Sequence, residues 1–142
     1  MTTNIITDAI ERLQYHALAI TGTRVKGAPA YPVDDASVLP LAIAYIAEGS
    51  GSIDDSTTAR LLLTVKVDFH VSRVTMRSAY YELNAIIPEY LRKLAGDPTL
   101  NGKVDTIVFP VTFAVMPAQW DRVTTQMASF SIPLKFRETP ST

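Results

Sequence analysis

Asp68 and His70 stand two residues apart, with Lys66 two residues before Asp68. In an extended strand that spacing puts all three side chains on one face. A carboxylate beside an imidazole is the arrangement that orients a general base. The same pair can supply two ligands to a metal ion. The competing reading is a solvated polar face on a long strand, and it is favoured because no nucleophile and no third ligand falls at a recognisable spacing. His16 is less specific: it tops the apolar stripe of a helix or makes a hydrogen bond beside it. Gly49-Ser50-Gly51-Ser52 has the glycine content of a phosphate loop, but neither Gly-Lys-Ser/Thr nor a helix start follows it. The N–H cradle is therefore missing, and a flexible hairpin tip is the better reading. The chain has no Gly-x-Ser-x-Gly elbow and no His-x-x-x-His pair. No catalytic, cofactor-binding or metal residue is assigned, and no cofactor is expected.

Two further features suit contacts rather than chemistry. Trp120 lies beside Gln119, Asp121 and Arg122. An indole in a turn either anchors an interface or folds back over the core. Arg60, Arg73, Arg77, Arg92, Lys93 and Lys103 would gather near the ends of a long strand and a helix. As a patch they would favour acidic partners, DNA or a carboxylate-rich surface; as a solvated helix face they would do nothing specific.

The elements that must position these residues follow from periodicity. Ile6, Ile10, Leu13, Ala17 and Ile20 predict a helix over 3–20, capped by Thr2 or Thr3 and ended at Gly22. Residues 23–37 hold Gly27, Pro29, Pro32, Asp34 and Asp35 and read as a long connector. Residues 38–48 read as a strand, and 48–58, small and acidic, as a flexible hairpin loop. In 60–73, Leu61, Leu63, Val65, Val67, Phe69 and Val71 alternate with polar residues, which predicts a half-buried strand far longer than usual.

Met76, Tyr80, Leu83, Ile87, Leu91 and Leu94 predict a second helix over 75–95, with Thr75 and Gly96 as caps and a kink or break at Pro88. A turn over 97–102 uses Asn101-Gly102 for positive φ. Two more strands, 104–116 and 123–138, flank a turn over 117–121. Pro110 and Pro133 in them ask for an edge or a bulge. The order is α-β-β-α-β-β. Residues 1–142 read as a single α+β domain, one antiparallel sheet with both helices on one face.

Composition narrows the class. Lys plus Arg number 13 and Asp plus Glu 14, a balance that argues against a nucleic-acid module. The absence of cysteine removes disulfides, thiol catalysis and thiolate metal sites. The longest apolar run, Val38 to Ala47, has 10 residues with a proline inside, against about 20 for a bilayer-spanning helix. The first residues, Met1-Thr2-Thr3-Asn4, lack a basic segment leading into an apolar core, so a soluble protein made in the cytoplasm is expected.

The stretch from Leu62 to Val108 resembles the tail terminator proteins of long-tailed bacteriophages, the family of the lambda minor tail protein U. A long alternating strand ends in His70-Val71-Ser72-Arg73, and a helix ends in Tyr90-Leu91-Arg92-Lys93-Leu94-Ala95. The turn Asp97-Pro98-Thr99-Leu100-Asn101-Gly102-Lys103 then leads to a strand. The family's small α+β outline fits the whole chain. The resemblance implies a virion structural protein with no catalytic motif. Six copies would form a ring that caps the tail tube, ends its growth and docks the neck connector beneath the head. The implied partners are further copies of the chain, the tail tube protein, the neck or connector protein and the tape-measure protein, with DNA only passing through the lumen and no membrane. A ring needs unlike surfaces that close by rotation. The candidates are the long strand, the connector 23–37, the loop 48–58, Trp120 and the turn 97–103. The alternatives are another phage neck or head-completion protein, and a small ligand-binding or enzymatic module around Asp68 and His70.

Overall fold

The computed structural model describes residues 5–20, 41–53, 59–72, 75–120 and 123–138. Helix α1 spans Ile5–Leu18, strand β1 Leu41–Ile53, β2 Ala59–Ser72 and helix α2 Met76–Ala95. Strands β3, Thr106–Ile107, β4, Thr112–Trp120, and β5, Val123–Glu138, complete the order. All strand pairings are antiparallel. The sheet runs β1-β2-β5-β3, with β4 also paired to β5. The helices pack on one face of it. The α+β class, the helix-on-one-face layout and the element order match the sequence pattern, except that the expected third strand is two strands.

The core lies between helices and sheet. Val65, Val67 and Phe69 of β2 and Ala128, Phe130, Ile132 and Leu134 of β5 face it, as the period-two pattern requires. From α1 come Ala9, Ile10, Leu13, Ala17 and Ile20. From α2 come Ala79, Leu83, Ile86, Tyr90 and Leu94. This is a correction by about one position. Met76 and Tyr80, expected inside, are 42% and 43% exposed. Apolar residues at 79 and 80, 86 and 87, and 90 and 91 let two adjacent stripes satisfy helical spacing. Packing chooses the stripe that begins at buried Ala79. Thr75 caps α2, its hydroxyl accepting from Ser78 N–H at 3.1 Å. The helix is unbroken at Pro88. Pro88 and Asn84, whose carbonyl would have taken the missing bond, are both exposed, so water can satisfy that oxygen.

The expected glycine-serine loop is largely strand. Residues 48–53 continue β1 and pair with 59–64, after a register shift between Ile46 and Glu48. Gly49 faces Leu63 and Gly51 faces Leu61. A Cβ at Gly49 would collide with the Leu63 side chain and sit 3.1 Å from the Leu62 carbonyl oxygen. At Gly51 it would lie 3.0 Å from Leu61 Cδ2. The leucines thus fold over bare backbone, and Leu63 is buried there. The glycines serve close approach rather than loop flexibility. Residues 54–58 of the expected loop, the expected helix caps Thr2, Thr3 and Gly22, and the expected connector 23–37 lie outside the described residues.

The third strand breaks at the cis peptide Phe109–Pro110. β3 and β4 therefore share one side of β5, opposite 134–135 and 123–131 respectively. Pro133 lies in a central strand without a bulge in its pairing to β2. Its carbonyl accepts from Val108 N–H at 2.8 Å, so its own missing donor faces the break between β3 and β4. Pro117, expected in a turn, pairs with Gln126 inside β4.

Two buried glutamines are badly matched: Gln126 leaves its Oε1 without a hydrogen-bond partner among the described residues, and Gln14 is worse. Gln14 is buried on α1, and among the described residues neither its Oε1 nor its Nε2 has a hydrogen-bond partner. Such atoms forfeit hydration with no return. Gln14→Met keeps the length and removes both polar atoms. Its urea midpoint should rise, corresponding to about 1–2 kcal/mol; an unchanged or lower midpoint would show that the amide is satisfied.

Candidate functional site

Asp68 and His70 lie on the sheet face away from the helices, as their spacing requires, but they are not solvated. They are 6% and 3% exposed. Asp68 stands between Ile43 of β1 and Ser129 of β5. Ser129 Oγ donates to Asp68 Oδ1 at 2.6 Å, and Tyr45 Oη donates to Asp68 Oδ2 at 2.7 Å, reaching diagonally from its place opposite Lys66. His70 Nδ1 lies 2.9 Å from Thr125 Oγ1. Burial pushes the His70 pKa down, against an opposing pull from Asp68. Burial, reinforced by the Asp68 carboxylate, pushes Tyr45 up. Burial thus disfavours the charged form of both side chains.

This geometry differs from a catalytic dyad. Both carboxylate oxygens of Asp68 are committed to hydroxyl donors, and neither side chain is open to a solute. Among the described residues no three His, Asp or Glu side chains group at metal-ligating range. What the cluster does is mechanical: one carboxylate joins β1, β2 and β5 on the face the helices do not cover. Sequence pattern located Asp68 and His70. It gave no sign of Tyr45, Thr125 and Ser129 as partners, because cross-strand register is needed to bring them together.

The interface candidates fare unevenly. Of the loop 48–58, residues 48–53 are strand. Trp120 ends β4 opposite Val123 rather than standing in a turn, and its side chain lies outside the described residues. The basic residues do not form one patch. Arg92 bonds Glu89 at 2.6 Å, with Lys93 4.0 Å from the same carboxylate. Arg77 is 15 positions earlier on α2, roughly 22 Å away along the axis. Arg60 is at the opposite end of β2 from Ser72, which leads to α2. Arg73 lies outside the described residues.

The turn 97–103 is a structural joint. Leu100, Asn101 and Gly102 all have positive φ, at 49°, 57° and 80°. Asn101 and Gly102 were expected so; Leu100 was not, and its side chain is fully buried. Asp97 grips α1: Arg12 Nε donates to its Oδ2 at 2.9 Å, and His16 Nε2 lies 2.7 Å from the same oxygen. Asn101 N–H donates to Oδ1 at 2.9 Å. Burial alone would raise the Asp97 pKa. The bonds from His16, Arg12 and Asn101 outweigh it and hold the carboxyl at about 2.

The sheet ends in two unlike edges. At one side is β1, which among the described residues pairs only with β2. At the other are β3 and β4. Ile46 on β1 and Phe113 and Met116 on β4 are exposed large apolar residues. No helix of the described residues is long and apolar enough to cross a membrane. No family model matches the chain. A search of curated proteins finds no significant match.

Two outcomes are expected. Asp68→Ala leaves two hydroxyls without their acceptor and should lower the free energy of unfolding by about 2–3 kcal/mol, read from urea titration; a loss under 0.5 kcal/mol, on the order of a surface substitution, would contradict the strand-joining role. Asp97→Asn should destabilise by about 2 kcal/mol at neutral pH. Because the folded pKa is depressed, that difference should be full above pH of about 4 and shrink as pH falls toward 2. A difference that is constant with pH would show that the carboxylate charge is not what holds α1.

Proposed function

We propose that this chain is a tail-terminator-like subunit of a long-tailed bacteriophage: six copies close into a ring that caps the tail tube, stops its growth and presents the other side to the neck connector. One observation carries the reading. Long antiparallel strands end the sheet in two different edges, which is what head-to-tail contacts around a ring require. β5, at 16 residues, extends roughly 53 Å, while α2, at 20 residues, extends roughly 30 Å. β5 is therefore longer than α2 by roughly 20 Å, strand that this helix cannot span. The sequence pattern from the strand ending at Arg73 through the turn 97–103 supports the same family. The enclosed Asp68 cluster suits a scaffold better than a site that turns over a substrate. The partners are further copies of the chain, the tube protein, the connector and the tape-measure protein. The protein's place would be the head-proximal end of the tail.

Negative-stain imaging of the purified protein, alone and with tail tubes of the same phage, tests this. Six-fold rings, or density capping one tube end only, are expected. A monomer at every concentration that binds no tube end would overturn the reading in favour of a neck or head-completion protein.

A further inference from the structure

Long parts of both outer strands carry no charge. Charged residues make up 19% of the chain, yet 106–120, which holds β3 and all of β4, has none, and neither has β1 from Leu41 to Ala47. Free sheet edges are commonly blunted by charged side chains, lysine above all. Here Pro117 and the register shift between Ile46 and Glu48 interrupt the backbone rows, but side-chain docking is left unopposed. Each edge also holds a large apolar residue on the helix-side face. Ile46 is opposite Val65 and Phe113 is opposite Phe130, both of them core residues, so Ile46 and Phe113 share that face. They are nevertheless 44% and 46% exposed. The Phe113 ring leans on that of Phe130, centroids 5.5 Å apart, which makes it a pre-formed anchor. The two residues also stand at nearly the same height. Ile46, Val65 and Ile132 form one row across the sheet, and Phe113 pairs only two residues along β5 from Ile132, an offset of roughly 7 Å.

We infer that the β1 edge of one copy packs against the β4 edge of the next, with Ile46 on Phe113 and the helix layers on the same side. The contact rests on the ring reading above and specifies its joint. Closure by rotation about an axis roughly along the strands keeps the same face of every copy outward and brings equal heights together. Ile46 and Phe113 share both face and height. A charged partner strand would lose hydration at either edge with no counter-charge to replace it, whereas a second copy brings to each edge one equally free of charge. The contact is also small. β4, at 9 residues, runs roughly 31 Å, and a strip of that length about 10 Å deep gives roughly 300 Å². A stable pair buries about 800 Å² per partner. Single pairs are therefore transient, and copies stay together once each makes both of its contacts in a closed ring.

The chain has no cysteine, so two introduced thiols report one contact. The full chain carrying Ile46→Cys and Phe113→Cys together is treated with a short bis-maleimide, and each single variant is treated alongside. Both positions are exposed, and urea titration checks that each variant is folded. The expected result is a ladder of covalent oligomers from the double variant, ending at six, with at least tenfold less cross-linking in either single variant. Dimers from a single variant at the level of the double would overturn the inference, because they mark an edge that meets its own kind. No ladder, while the wild-type chain forms rings in negative stain, would overturn it and leave the ring reading standing. No ladder and no rings would overturn both. A ladder that runs past six would support the contact and overturn the six-membered ring.

Discussion

Three aromatic rings hold the two layers together. Phe69 of β2, Tyr90 of α2 and Phe130 of β5 meet edge to face, with centroids 4.9, 5.2 and 5.5 Å apart. Each ring presents its positive edge to another's negative face, which adds about 0.5–1.5 kcal/mol per pair to the burial of the rings themselves. All three are fully buried. The Tyr90 hydroxyl donates to the Leu13 carbonyl of α1 at 3.2 Å, so the phenol is satisfied and the second helix is tied to the same point. Burial drives the Tyr90 pKa upward, which keeps it a donor. Both helices and both central strands depend on this contact, and the Asp97 clamp then fixes the rotation of α1 against the end of α2.

The helices leave much of the sheet to support itself, and it does so in two different ways. In the middle of the face away from the helices, buried Asp68 collects hydroxyls from the strands on either side. A carboxylate placed there is tolerable because both its oxygens are bonded. Toward the hairpin end, on the helix-side face, leucines lie over glycines of the neighbouring strand. Leu63 belongs to the core, and its side chain has room there because Gly49 offers no Cβ. The same arrangement lets β1 run to Ile53 in a stretch whose composition alone suggests a loop.

Periodicity carried the sequence reading where one face was apolar and the other was not. β2 and β5 are the clearest cases, and Thr75, Asn101 and Gly102 were legible from local chemistry. It failed where two solutions share a period. The α2 stripe could be read from Met76 or from Ala79, and only packing against Phe69 and Phe130 separates them. It also failed where composition mimics a loop, at 48–53, and where a proline has two outcomes. Pro110 breaks a strand, whereas Pro133 stays inside one because its missing donor points into that break. The Asp68 partners could not be read at all: Ser129 is 61 residues away, and alternation gives a face but not a register.

The same prolines decide how the sheet edges can be used. In the unshifted β4–β5 ladder, the residues of β5 that share the Pro133 orientation bond to Thr112, Ala114, Met116 and Ala118. Pro117 therefore turns its nitrogen outward, where the edge loses a donor. On the opposite side, the register shift between Ile46 and Glu48 interrupts the row of β1 backbone groups. Neither edge offers an unbroken template, which guards a protein with long strands against stray pairing. A neighbour that docks on these edges must then be recognised largely by side chains, and Ile46 on one edge with Phe113 and Met116 on the other are the apolar ones exposed to do it. Side-chain recognition between two unlike edges specifies one partner geometry, whereas backbone pairing accepts any strand. The ring proposed for this chain, which would have to close after a fixed number of copies, would need the former.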